Sequence, residues 1–360
     1  MVKLENNRNY GIDILRSVAM LMVVLLHVVG QGGILDASVG ISGKNEVLWL
    51  IQTLAYCAVN CYALISGYVN SKPKYASLAL LWLQVAFYSI SITALFAIFR
   101  PEAVNLEIAI KSIFPVTAGS YWYFSSYFSL FLFLPVLSKT ADVLSRKNFK
   151  AMLLIMAIFF SIISLISGGN AFDLNRGYSA VWLGYLYLVG MYIKRYEPFV
   201  SISKVKALIG YALCILVTWG MLVYSDTLLS GTPLEAYSGV LLNYTSPTIL
   251  GAGLFIFTIF KQINVRSSAV QRAIGLFAAT SFSVYIIHSH PLVWEHMLKG
   301  RLASFISEPL PLIVLIVLGV TFGIYLFCSL IDLPRHFLFS ALKLKKRLSG
   351  FENRIAEKLK

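Results

Sequence analysis

Residues 12–31 read IDILRSVAMLMVVLLHVVGQ. The stretch is long and apolar enough to cross a bilayer as a helix, yet it carries Asp13, Arg16 and His27. An ionisable group in hydrocarbon costs on the order of a few kcal/mol, so charges inside a span face protein or water and serve a function. Arg16 and His27 are eleven residues apart. At 100° per residue that is about three turns plus 20°, which sets both on one helix face, roughly 16 Å apart along the axis. Asp13 precedes Arg16 by three residues and shares nearly the same face. One stripe of Asp, Arg and His therefore runs up a greasy helix.

Working outward, the 360-residue chain is 58% hydrophobic and 13% charged, with a mean hydropathy of +0.76. Soluble domains are about a quarter charged. The composition predicts an all-α, polytopic integral membrane protein with no room for a large soluble domain. Ten apolar segments of about span length follow one another, at 12–31, 47–69, 76–99, 121–138, 151–168, 178–193, 206–225, 238–260, 272–294 and 310–332.

The net charge of +14 suggests nucleic acid at first. Its distribution argues otherwise. With ten spans, 23 Lys and Arg fall in the connections of one side and 6 in those of the other, leaving Arg16 within a span. That asymmetry places both termini in the cytoplasm and accounts for the charge without nucleic acid. The expected location is a bacterial plasma membrane, crossed many times. Residues 1–335 form one membrane domain and 336–360 a basic cytoplasmic tail. The end of that tail, KLKKRLSGFENRIAEKLK (343–360), is mildly amphipathic and suits an anionic leaflet. The N-terminus does not read as a cleavable signal, because Asp13 and Arg16 interrupt the apolar run and no small-residue cleavage site follows.

Cys57, Cys61, Cys214 and Cys328 all fall in expected spans without accompanying His or acid ligands, so they read as small apolar filler and no metal is expected. Pro247 lies inside the eighth expected segment and predicts a kink there, with Asn243 and Thr245 supplying polar groups.

Three further stretches complete a pattern with Asp13-x-x-Arg16 and His27. They are LISGYV (64–69), GSYWYFSSYFSLFLFLPVL (119–137) and SFSVYIIHSHPL (281–292). In this order, on this layout, the chain resembles the integral-membrane acyltransferase-3 family from about residue 10 to 335. The resemblance implies acyl transfer across the membrane. Acyl-CoA, often acetyl-CoA, is the cytoplasmic donor and co-substrate, and a hydroxyl of a cell-surface glycan or lipid-linked sugar is the acceptor. The family's Arg and His map to Arg16 and His27.

The residue chemistry fits. A sugar hydroxyl is a poor nucleophile at neutral pH and needs a base such as histidine. His27 either takes that proton or briefly carries the acyl group; the plain alternative is a hydrogen-bonded core histidine. Arg16 is placed to hold a CoA phosphate or the pantetheine arm, or simply to pair with Asp13, its orienting partner. His288, near the outer end of the ninth segment, is expected at the depth of His27 and able to assist. His290 is expected nearer the water. Trp122 and Tyr123 either belong to an interfacial aromatic belt or, as the family match implies, line the acyl-CoA site. Ser66 and Gly67 suit close helix packing. Asp332 and Arg335 either contact CoA or mark the interface.

One departure stands out. The family often carries an Arg-rich stretch leading into the third span, whereas this chain reads NSKPKYASLALLWLQ (70–84) with only Lys72 and Lys74. CoA phosphates then fall to these two lysines or to others such as Arg146 and Lys147. The competing readings are a polysaccharide or lipid-linked sugar exporter, in which the stripe is a proton relay, and a membrane scaffold, for which the stripe has no purpose.

Overall fold

The computed structural model describes residues 8–41, 43–69 and 74–358. The described residues form an all-helical bundle, with no strand among them. Its elements are α1 (Tyr10–Val29), α2 (Lys44–Ala55), α3 (Ala58–Val69), α4 (Tyr75–Phe99), a short α5 (Leu106–Ile113), α6 (Trp122–Val143) and α7 (Arg146–Ala157). They continue with α8 (Ala180–Tyr196), α9 (Lys204–Leu229), α10 (Pro247–Lys261), α11 (Ser268–His288), α12 (Leu310–Ala341) and α13 (Leu344–Lys358).

Among the described residues, eight stretches are long and apolar enough to cross a membrane, with α2 and α3 counted as one broken span and α7 continuing through tighter and wider turns to Ser167. The sixth and eighth expected segments correspond to shorter helices, α8 with 17 residues and α10 with 15. The kink expected at Pro247 is instead a helix start. Proline has no N–H to give and a fixed φ, which suits the first helical position. Residues 238–246 before it are turns and bends, and the Tyr244 N–H donates to the Arg176 carbonyl at 3.2 Å. The missing turns of helix carry Tyr244 toward the centre of the bundle.

α1 is the axis of the bundle and packs against α3, α10, α11 and α12. Its start is fixed by Asn9, whose side-chain oxygen accepts from Ile12 N–H and whose amide donates to the Lys261 carbonyl at 3.0 Å. At its other end, Gln31 and Gly32 carbonyls accept from Gly300 and Leu302 N–H groups at 2.9 and 2.8 Å. These bonds tie the 289–309 segment to the end of α1. α3 and α8 approach so closely that a Cβ at Gly67 would lie 1.9 Å from the Tyr187 carbonyl oxygen, and one at Gly190 would lie 2.2 Å from that of Leu64. The small-residue reading of the Ser66-Gly67 segment therefore describes a real backbone contact.

Asp332 and Arg335 are both buried within the bundle. Asp332 is fully buried and accepts both arms of the Arg335 guanidinium, at 2.6 and 2.8 Å. The same carboxylate accepts from the Tyr88 hydroxyl at 2.7 Å and the Ser283 hydroxyl at 2.6 Å, and Gln84 donates to Ser283. This network stitches α4, α11 and α12 together, with the carboxylate charge fully hydrogen-bonded. The last span also runs beyond residue 332, to Ala341. The basic tail then folds back as α13 onto α4, where the Glu352 carboxylate accepts from Tyr75 and Ala76 N–H at 2.9 and 3.2 Å. It caps α4 at the positive end of that helix dipole.

Candidate active site

The start of α1 and Arg8, just before it, gather at one face of the bundle with the ends of α3, α8 and α10. We call this the basic face. Here Asp13 is buried and held from two sides, by Arg8 Nε at 2.5 Å and Arg16 Nη1 at 3.2 Å. One carboxylate between two guanidinium groups leaves spare N–H donors on both arginines. The two arginines, with Lys194 from α8 and Lys261 from α10, line a polar vestibule of about 980 Å³. Asp13 and Glu197 are the acids in its wall, Glu197 pairing with Lys261 at 2.9 Å. Four cations against two anions leave the vestibule net positive.

From Met20, one turn above Arg16, a narrow neck of about 40 Å³ runs beside α1 to His27, lined by Val59, Tyr62, Tyr123 and Phe282. The Tyr62 hydroxyl donates to the Arg16 carbonyl at 2.9 Å, which anchors this wall to α1. On the opposite face a second chamber of about 480 Å³ opens, walled by Tyr56, Trp122, Tyr178, Tyr244, Gln52 and again His27. His27 is thus common to the neck and the opposite chamber.

The helices bring His27 and His288 together, His27 Nδ1 lying 2.8 Å from His288 Nε2. His288 Nδ1 lies 2.5 Å from the Val284 carbonyl oxygen, one turn back on α11. A carbonyl only accepts, so His288 Nδ1 carries a proton. In neutral His288, Nε2 is then the acceptor, and His27 Nδ1 must donate to it. The proton order assigned this way leaves His27 Nε2 as a lone pair. No hydrogen bond engages that atom among the described residues. The edge of Trp294 packs on the His27 ring at a centroid distance of 4.7 Å and fixes its plane. The arrangement is an oriented, unprotonated imidazole nitrogen on a residue that lines both the neck and the aromatic chamber.

A family model described as an acyltransferase domain, that of the acyltransferase-3 family, matches residues 9–329. The chain belongs to the acyltransferase-3 family. No curated protein and no solved structure matches it.

In this membrane acyltransferase, Asp13 and Arg16 line the vestibule, Trp122 and Tyr123 line the neck with His27, and His288 bonds to His27. Trp122 and Tyr123 pack among other aromatic rings, Trp122 against Tyr178 at 4.4 Å and Tyr123 against Tyr62 at 6.2 Å. Other residues are placed elsewhere. Lys74 is exposed before α4 and does not line the vestibule. Lys72 lies outside the described residues. Arg146 stacks over Tyr196 at 5.5 Å and, like Lys147, stands apart from the vestibule. His290 is not near water. It is buried, accepts from Leu292 N–H at 3.2 Å through Nδ1, and its Nε2 lies 3.3 Å from the Ser89 carbonyl.

Arg8, Lys194 and Lys261 were not singled out by the motifs, because each reads as an ordinary positive flank of a span. Tyr244 and Trp294 had no signal either, since aromatics are common throughout the chain (14% of residues).

Proposed function

We propose that this acyltransferase moves an acetyl group from acetyl-CoA, entering at the basic face, to a glycan hydroxyl in the aromatic chamber. The carrying observation is the position of His27, with its free Nε2 between the two cavities. The positive-inside distribution orients the basic face toward the cytoplasm, where acyl-CoA is made.

The vestibule fits the CoA end. Arg8, Arg16, Lys194 and Lys261 offer charge-assisted donors for its phosphates. The neck fits a two-carbon acyl group, since about 40 Å³ holds only about three waters. A polysaccharide does not pass such a neck, which weighs against the exporter reading. The chamber offers aromatic faces and a few polar groups, the usual lining of a small-molecule site.

In the transfer step, His27 Nε2 takes the proton of the acceptor hydroxyl as its oxygen bonds to the thioester carbonyl carbon. The carbon–sulfur bond breaks, and the departing sulfur takes the proton back from Nε2. While protonated, His27 donates from Nδ1 to His288 Nε2, which spreads the transient charge over a second ring. Asp13 holds Arg16 in place below. A direct test measures acetyl-CoA turnover by purified protein against His27→Ala, at equal fold by detergent-stable gel filtration. Equal turnover by the two would remove His27 as the base.

A further inference from the structure

Acyl transfer at His27 creates one charge that the histidine pair does not meet. As the acceptor oxygen bonds to the thioester carbon, the carbonyl electron pair moves onto the carbonyl oxygen, which becomes an oxyanion. Preorganised N–H donors aimed at such an oxygen are a large source of rate. The backbone beside His27 cannot supply them. His27 lies in the last turn of α1, where the free backbone groups are carbonyls and the negative end of the helix dipole disfavours an anion. The first N–H beyond the helix, that of Gly30, already donates to the Leu26 carbonyl at 2.9 Å. A donor at this end of α1 has to be a side chain.

Gln52 on α2 meets this need. It lines the aromatic chamber that His27 also lines. Its amide nitrogen lies 3.7 Å from where a Cβ of Gly30 would stand, and Gly30 follows His27 by three residues, on nearly the same face of α1. Neither end of the amide is hydrogen-bonded among the described residues; Oε1 is sealed from solvent and Nε2 is not. The chamber therefore meets an amide N–H group that has no acceptor. Other side-chain amides are engaged. Gln84 donates to Ser283, Gln262 to the Ile202 and Thr258 carbonyls, Gln271 to the Val265 carbonyl and Asn60 to the Tyr244 carbonyl. No carboxylate lines the chamber, so none competes for the Gln52 protons or repels an oxyanion.

We propose that Gln52 is a catalytic residue, its Nε2 donating to the thioester carbonyl oxygen and holding it more tightly as it becomes an oxyanion. The proposal rests on the acyltransferase reading. The carbonyl pair goes to that oxygen when the acceptor oxygen adds, and re-forms the C=O as the carbon–sulfur bond breaks. Gln52 keeps its protons throughout. His27 remains the group that takes a proton and returns it to sulfur.

The experiment uses the full chain in phosphatidylcholine vesicles, with every variant matched for fold by gel filtration, and has two readouts. The first is the infrared C=O stretch of acetyl-CoA, isotope-labelled at the carbonyl carbon and bound to His27→Ala, in which the thioester stays uncleaved. The stretch is expected at lower wavenumber than for free acetyl-CoA, and adding Gln52→Leu is expected to return it to the free position. The second is acetate release from acetyl-CoA with water as the only nucleophile. Gln52→Leu is expected to slow it on the order of 10²–10³-fold, the worth of one oxyanion donor, with the KM for acetyl-CoA unchanged. Gln52→Glu, of equal length but without the donors, is expected to lose at least as much. A stretch that ignores Gln52→Leu, or acetate release at the wild-type rate in both Gln52 variants, would overturn the proposal. So would a loss seen only as a raised KM. If the stretch moves through Gln52 as expected yet wild type never turns over acetyl-CoA, the acyltransferase reading fails and the carbonyl contact stands.

Discussion

At His27 the reactive atom is Nε2, because two consecutive hydrogen bonds assign the only proton of the neutral ring to Nδ1. Two substitutions separate this chemistry from packing. His27→Ala is expected to lower kcat by on the order of 10²–10⁴-fold, the usual worth of a positioned base. His288→Ala is expected to cost about 10–100-fold, the scale of losing a partner that orients a functional histidine. His288→Gln should recover part of this, because its amide oxygen can still accept from His27 Nδ1. The KM for acetyl-CoA should stay near wild type in both His288 variants, since His288 does not line the vestibule; a raised KM with unchanged kcat would place it in donor binding instead. The stripe of Asp13, Arg16 and His27 was legible because a helix repeat converts spacing into a face, and because hydrocarbon makes each charge conspicuous. The proton order was not, since it depends on the Val284 carbonyl and on α11 lying against α1, which no spacing within one helix encodes.

Helix contacts set where these residues meet. The Gly67 and Gly190 approach leaves no space for a side chain. Gly67→Ala is therefore expected to destabilise the bundle by about 1–3 kcal/mol through overpacking, read as a lower midpoint in thermal unfolding. Gly220→Ala, with open space around its missing Cβ, serves as the control that should not shift the midpoint downward. The Asp332 network makes a second prediction. Asp332→Ala strands the buried Arg335 charge and should cost about 3–5 kcal/mol. If Asp332 instead served donor binding, the variant would keep its unfolding midpoint and raise only KM. The membrane spans were legible element by element from apolar length. What was not legible was how they end. Pro247 occurs equally at a helix start and at a kink, and only the Tyr244–Arg176 backbone contact selects the former. Likewise the tail was readable as basic and amphipathic, but its docking on α4 through Glu352 is a long-range contact.

Across the whole molecule, a cationic cavity opens on the basic face and an aromatic cavity on the opposite face, and His27 lines the second of them. The apolar stretches were readable in the chain, because length and hydropathy are properties of single segments, though ten were expected and eight among the described residues are long and apolar enough to span. The vestibule was not, because Arg8, Lys194 and Lys261 come from three separate segments that only the bundle brings together. Replacing Lys194 or Lys261 with Glu should raise the KM for acetyl-CoA several-fold, and added salt should raise the wild-type KM as well, since exposed charges are screened over about 8–10 Å at physiological ionic strength. An unchanged KM in both variants would move the phosphate contacts elsewhere. The central claim is that one acyl group crosses from the basic face to the opposite face through His27. It is tested most directly with oriented protein in sealed vesicles, acetyl-labelled CoA on the tail side only, and wild type beside His27→Ala. The account predicts that label reaches a glycan acceptor on the far side with wild type alone, while CoA stays on the tail side. Transfer that persists in His27→Ala, or label that reaches only acceptors on the tail side, would contradict it.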